Sequence, residues 1–178
     1  MTHEVTDFEL AERAQSGDTR AFEQLLQRHY GMMFKVAYKW CGHKQDAQDI
    51  AQETCVKLAS AIAQYRFDSA FTTWLYRVIL NTGKDFMRAR QTRQKYESDF
   101  VHEQQFDEAP HNQEEAMQAR DAMRAINALP DKIRETVLLV ACEGLSHAEA
   151  GKALECSEGT ISWRIHEAKT LLKKAGGA

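Results

Sequence analysis

Apolar residues recur every three to four positions along most of this chain, and only two prolines, Pro110 and Pro130, interrupt its 178 residues. That spacing lays one apolar stripe along a helix, and few segments show the two-residue alternation of a half-buried strand. The chain therefore reads as all-α. Phe22, Leu25, Leu26, His29, Met33, Phe34, Ala37 and Trp40 form the first long stripe. Asp18, in the turn Ser16-Gly17-Asp18, is placed to cap its start and Gly42 to end it. A second helix is expected from about Gln45 to Gln64, with Ile50, Thr54, Leu58, Ala61 and Ile62 on one face and Asp46, Asp49, Glu53 and Lys57 on the other. A short loop from Tyr65 to Asp68 leads to Ser69 as a cap, and a third helix runs from Ala70 to about Arg93.

Beyond Gln94 the periodicity dissolves into Glu, Gln, Asp, His and Pro110 until about Glu115. So few apolar residues cannot order a segment by themselves, so a flexible linker is expected. Helicity resumes near Glu114, and Leu129-Pro130 divides one helix from the next. The resulting division is 1–95, a tether at 96–119, and 120–178. Charge follows the same division. Residues 1–95 carry net +3, residues 96–121 net −7 and residues 122–178 net +1, so the overall −3 conceals two neutral-to-basic modules around an acidic tether.

Several function classes fall away on composition. No run of about 18 apolar residues exists to enter a membrane, and Met1 to Glu12 is acidic instead of basic-then-apolar, unlike a secretion signal. A cytoplasmic protein is expected. Cys41, Cys55, Cys142 and Cys156 sit singly in helical pattern with no CxxC, as buried thiols do in a reducing compartment. Cys41 and His43 could offer two metal ligands, but no second pair accompanies them. His29, His43, His147 and His166 are scattered and none is paired with a nucleophile by any motif. No cofactor, metal or catalytic residue is expected.

Leu145 to Lys174 is the most informative stretch. Ser146-His147-Ala148-Glu149 is a capping box opening a short helix that ends near Leu154. Glu155-Cys156 makes a tight turn, and Ser157 caps a longer helix with Ile161, Ile165, Ala168 and Leu172 facing inward. This is the plan of a helix-turn-helix whose second helix enters the major groove. Thr160, Ser162, Trp163, Arg164, His166 and Lys169 face outward from that helix, and its basic members can reach guanine edges or phosphates. The third helix carries a second signal. Aromatic residues from Phe71 to Tyr76 precede Lys84, Arg88, Arg90, Arg93 and Lys95, a combination suited to unpaired bases and their backbone. Trp74 and Leu75 fit the core better than a contact.

Taken together, these residues resemble the extracytoplasmic-function (ECF) group of bacterial sigma factors, in the sigma-70 family. Gly17-Asp18 with Ala21-Phe22, the run Asp46 to Glu53, and Phe67 to Arg77 with Asn81-Thr82 match the second sigma domain. Leu129-Pro130, Arg134-Glu135, Glu143 to Ser146, Glu149 and Glu158 to Ile161 match the fourth. The resemblance implies two small helical domains, joined by the linker, that bind core RNA polymerase through its β′ clamp and β subunit. Asp46, Asp49, Gln52 and Glu53 would meet the β′ coiled coil. Tyr65, Arg66, Phe67, Asp68, Ser69 and Asn81 would capture a base flipped from the −10 element, with Lys84, Arg88, Arg90 and Arg93 along the backbone. Ser157, Thr160, Ser162, Trp163, Arg164, His166 and Lys169 would read the −35 element as duplex. An anti-sigma factor partner and a monomeric free state are also implied.

Three departures stand out. Ser162 and Glu167 occupy positions where the family commonly carries Lys or Arg, Trp163 is bulky where a small residue is usual, and Ala150-Gly151 replaces a larger apolar residue and alanine. Glycine within a helix costs about 1 kcal/mol relative to alanine. The rival reading is an autonomous helix-turn-helix regulator that binds operators as a dimer; it explains 145–174 but neither the aromatic-basic third helix nor the acidic face at 46–53.

Overall fold

The computed structural model of the chain describes residues 5–96 and 113–176, and among these residues all regular structure is helical. The first half contains α1 (Asp7–Gln15), α2 (Thr19–Cys41), α3 (Lys44–Ala61) continued by a 3-10 turn at Ile62–Gln64, and α4 (Phe71–Tyr96). The second contains α5 (Gln113–Asn127), α6 (Asp131–Val137) widening into a π turn at Leu138–Cys142, α7 (His147–Ala153) and α8 (Glu158–Gly176). Most of the expected tether lies outside the described residues; its last residues, from Gln113, begin α5.

Local chemistry sets the helix ends. The Asp18 carboxylate accepts from the backbone N–H of Arg20 and Ala21, and Gly42 ends α2 in the left-handed region at φ 71°. Arg13 hydrogen-bonds the same Asp18 carboxyl and holds it below the usual carboxylate range. The His43 imidazole caps α3 by accepting from Asp46 N–H, at 3.5 Å. Thr6 and Glu9 form a reciprocal capping box at the start of α1. That helix has no counterpart in the expected elements, although its Thr-x-x-Glu signature stands in the sequence.

The stripes expected from periodicity are the ones buried. Leu25, Met33, Ala37 and Trp40 of α2 pack with Ile50 and Leu58 of α3 and with Trp74, Leu75, Ile79 and Leu80 of α4. The same cluster continues into Leu138, Leu139, Ala150, Ala153 and Ile161 of the second half, so the two halves share buried apolar surface. Leu129, Ile133, Val137 and Ala168 close a smaller cluster between α6 and α8.

Trp40 lies at this junction. Gly83 of α4 lies so close that a Cβ there would stand 2.7 Å from the Trp40 ring, and the Arg134 guanidinium of α6 sits 3.7 Å from the ring centroid. Because the indole is 2% exposed and covered from two elements, it has little room to retreat. Gly83→Val is therefore expected to lower unfolding free energy by about 1–3 kcal/mol through overpacking, measured by urea denaturation; an unchanged midpoint would show that Trp40 moves aside.

Candidate nucleic-acid interface

The turn after α3 and the middle of α4 enclose a cleft of about 1160 Å³. Arg66, Asp68, Ser69 and Asn81 line it together, with Lys57, Arg77 and Trp74 from the flanking helices. Lys152 and Glu155 reach the same cleft from the second half: Lys152 Nζ donates to the Asp68 carbonyl at 3.3 Å, and Glu155 pairs with Arg77. An amide, a guanidinium, a hydroxyl and a carboxylate converge there, enough donors and acceptors to read the edge of a base that has left its stack. The exposed side chain of Asn81 faces this space, while its neighbour Thr82 is fully buried and bonds back to the Val78 carbonyl.

Two loop residues play a different part from their neighbours. Tyr65 is only 4% exposed, and it packs against Phe67, Phe71 and Trp74 while its hydroxyl donates to the Ser69 carbonyl at 2.6 Å. Phe67 stands in the left-handed region at φ 59°, a conformation that bulky residues seldom adopt. Trp74 and Leu75 are core, at 6% and 0% exposure.

The basic stretch of α4 is only partly open. Lys84 Nζ lies 2.9 Å from the carboxylate of Glu135 on α6, a residue 5% exposed, and Arg90 pairs with Asp46 of α3. Arg88 and Arg93 are exposed, and Arg88 keeps only a loose 3.9 Å contact with Asp85. Two of the four named cations thus face solvent, and the other two are engaged within the fold.

The helix-turn-helix forms at the expected residues. Ser146 and Glu149 build the capping box of α7, and the Ser146 hydroxyl holds the Glu149 carboxyl below its usual range. Glu155 turns the chain at φ 52°, and Cys156 N–H returns to the Gly151 carbonyl at 2.9 Å. A Cβ on Gly151 would stand 2.8 Å from the Cys156 carbonyl oxygen, so the glycine's helix penalty accompanies the close approach of the turn to α7. Ser157 accepts from Thr160 N–H at the start of α8. Ser162, Trp163, His166 and Lys169 are exposed on α8, with Trp163 at 60%. Ser162 is also tied to His147 Nδ1 at 2.9 Å, and the half-buried Arg164 turns toward Thr136 of α6, 3.5 Å away.

The acidic face of α3 divides in the same manner. Asp46 is 8% exposed and engaged by Arg90, whereas Gln52 is exposed and Asp49 and Glu53 are half-exposed; Glu53 has Lys57 3.2 Å away. The exposed side chain of Val56, at 74%, continues this face. All four cysteines are free; burial pushes the Cys41 thiol up to about 11, and its Sγ–H donates to the His43 carbonyl. Among the described residues no three His, Cys, Asp or Glu side chains stand where they could share a metal ion, and no helix is long and apolar enough to cross a membrane.

Residues 25–93 match the Sigma-70 region 2 family model and residues 119–172 the Sigma-70, region 4 model. The chain is 34% identical to the RNA polymerase sigma-H factor of Pseudomonas aeruginosa, over 98% of this chain and 96% of that protein. It is 31% identical to the ECF RNA polymerase sigma-E factor of Escherichia coli, over 95% of this chain and 93% of that one. Among solved structures, CnrH in complex with the cytosolic domain of CnrY is similar with a TM-score of 0.67 and 26% identity, over 93% of this chain and 94% of that one.

The Lys84–Glu135 pair joins the two halves at a site where removing either charge strands the other. Lys84→Met and Glu135→Met singly are each expected to cost about 3 kcal/mol, and the double substitution much less than their sum. A double-mutant cycle in urea with no coupling between the two would show that this pair does not hold the halves together.

Proposed function

The chain belongs to the sigma-70 family, in its extracytoplasmic-function group, and on that premise we propose that it binds core RNA polymerase, directs it to promoters and promotes DNA opening there. The observation that carries the reading is the shared cleft of Arg66, Asp68, Ser69 and Asn81 on the same body as a fully formed helix-turn-helix. A regulator that only docks on duplex operators needs the second and has no use for the first. The cleft takes a base flipped from the −10 element, while the exposed Arg88 and Arg93 follow the backbone beside it. Duplex at the −35 element meets the exposed face of α8 at Ser162, Trp163, His166 and Lys169, with Thr160 and Ser157 near its start. Arg164 reaches DNA only by leaving Thr136. RNA synthesis itself belongs to the polymerase; this chain supplies recognition and the stabilisation of one unpaired strand.

Asp49, Gln52 and Glu53 form the part of the acidic α3 face open to the β′ clamp; Asp46 supports it from beneath through Arg90. The second half engages the β subunit. The protein acts in the cytoplasm as a monomer when free. Control by an anti-sigma factor belongs to the same reading and draws support from the likeness to CnrH held in complex with the CnrY cytosolic domain.

Two experiments test this reading. Asp49→Lys with Glu53→Lys should abolish co-purification with core polymerase while helical content by circular dichroism stays unchanged; normal assembly would move the polymerase contact elsewhere. Asn81→Ala should form closed complexes normally yet open duplex promoters slowly, because extruding a base costs a few kcal/mol that pocket contacts must offset. Permanganate reactivity of unpaired thymines reads the effect, and a premelted template should restore part of it. Wild-type opening by the variant on duplex DNA would remove Asn81 from the pocket.

A further inference from the structure

We propose that α1, which precedes the residues matching Sigma-70 region 2, positions the base-reading loop, with Gln15 fixing its backbone and Phe8 seating Phe67. The Gln15 amide nitrogen donates to the Ile62 carbonyl at 2.7 Å and to the Tyr65 carbonyl at 2.8 Å. Those carbonyls bracket the point where helical bonding ends, since Tyr65 N–H closing on Ile62 is the last bond of the 3-10 turn. Gln15 therefore supplies, from 50 residues away in sequence, the donor that the loop's own backbone does not give the Tyr65 carbonyl, and adds a second donor to the Ile62 carbonyl.

The loop then enters a strained conformation. Phe67 at φ 59° persists only if its surroundings over-determine it. Two rings hold it. The Phe8 centroid lies 4.7 Å from that of Phe67, and the Tyr65 centroid 4.5 Å from it. Phe8 is otherwise a half-exposed apolar ring on a short helix, and this tilted contact is its one ring contact among the described residues. Arg66 and Asp68, the immediate neighbours of Phe67, line the cleft, as does Ser69. If the backbone at Phe67 relaxed to negative φ, the directions of those flanking groups would turn with it. Base choice in the cleft thus depends on two α1 side chains that do not line it.

The proposal rests on the reading that the cleft takes an unpaired base, and its test separates the two. Full-length protein bound to core polymerase is offered a pool of single-stranded DNA randomised at the −10 positions, and bound strands are sequenced. Wild type should enrich one base at the captured position, and Asn81→Ala should lose that preference. Gln15→Leu and Phe8→Ala should lose it by about tenfold, within what one well-placed base contact discriminates, while affinity for the whole pool and the urea midpoint are retained. Phe8→Tyr, which keeps the ring, should restore it. Undiminished preference in Gln15→Leu and Phe8→Ala would overturn the role of α1 while leaving base capture intact. Loss of preference together with pool affinity and stability would overturn it too, by reducing α1 to a structural element. Absence of any preference in wild type would overturn base capture, and the proposal with it.

Discussion

The contact between Trp40 and Arg134 makes one body of two helical halves. Trp40 comes from the end of α2, the Gly83 backbone from α4, and the guanidinium from α6 across the junction. Replacing glycine by a larger residue at 83 would separate the ring from α4, and α4 carries Asn81 and Arg77 of the cleft lining. A desolvated cation over an indole is worth about 2 kcal/mol, but Arg134 is also costly to bury. Desolvation works against its charge and outweighs the opposing pull of Asp131, at 2.9 Å, and of nearby Glu135. The junction is held because charge and apolar burial coincide there.

The same junction decides which cations of the first half are paired and which stay exposed. Lys84 is engaged by Glu135, Arg77 by Glu155, and Lys39 by Glu143, whose other oxygen accepts from the Tyr76 hydroxyl. Burial and the neighbouring Glu143 carboxylate raise the Tyr76 phenol above its usual range, so it keeps its proton, and its bond to Glu143, further into the alkaline range than a free phenol would. These pairs join cations of the first half to acids of the second. In this arrangement a phosphate that approaches Lys84 must displace a carboxylate already desolvated around it. The exposed Arg88 and Arg93 meet no such competition.

The helix-turn-helix shows how a departure from family pattern acquires a reason. Gly151 weakens α7 on propensity alone, yet the turn's Cys156 carbonyl occupies the space a Cβ would take. The short, left-handed link at Glu155 brings α8 close to α7, and Ile161 is fully buried beside Ala150 and Ala153. Trp163 remains outside this packing, a large exposed aromatic surface on α8. Nothing in the structure explains its replacement of a small residue.

Helix identity, most helix ends and the helix-turn-helix were determined by sequence alone. Their signals are local: an apolar residue every third or fourth position, Asp18, Ser146 and Ser157 as caps, Gly42 as a left-handed stop, and Pro130 as a break. Hydrogen bonds of a helix and its caps join residues three or four apart, so the sequence that encodes them can be read in one short window. Even the capping box of α1 was legible there, although the apolar stripe is too short to draw notice. The cleft was legible only by resemblance, since Ser69 and Asn81 have no periodic relation. Tertiary structure decided the rest. It turned Asp46 and Arg90 toward each other and Lys84 toward Glu135, buried Tyr65, and brought Gln15 to the backbone at Ile62 and Tyr65. An ion pair or a long-range amide contact leaves no period in sequence. A lysine bound to a buried glutamate on another helix is written with the same letter as one free to meet DNA, and only the fold brings the partner that distinguishes them.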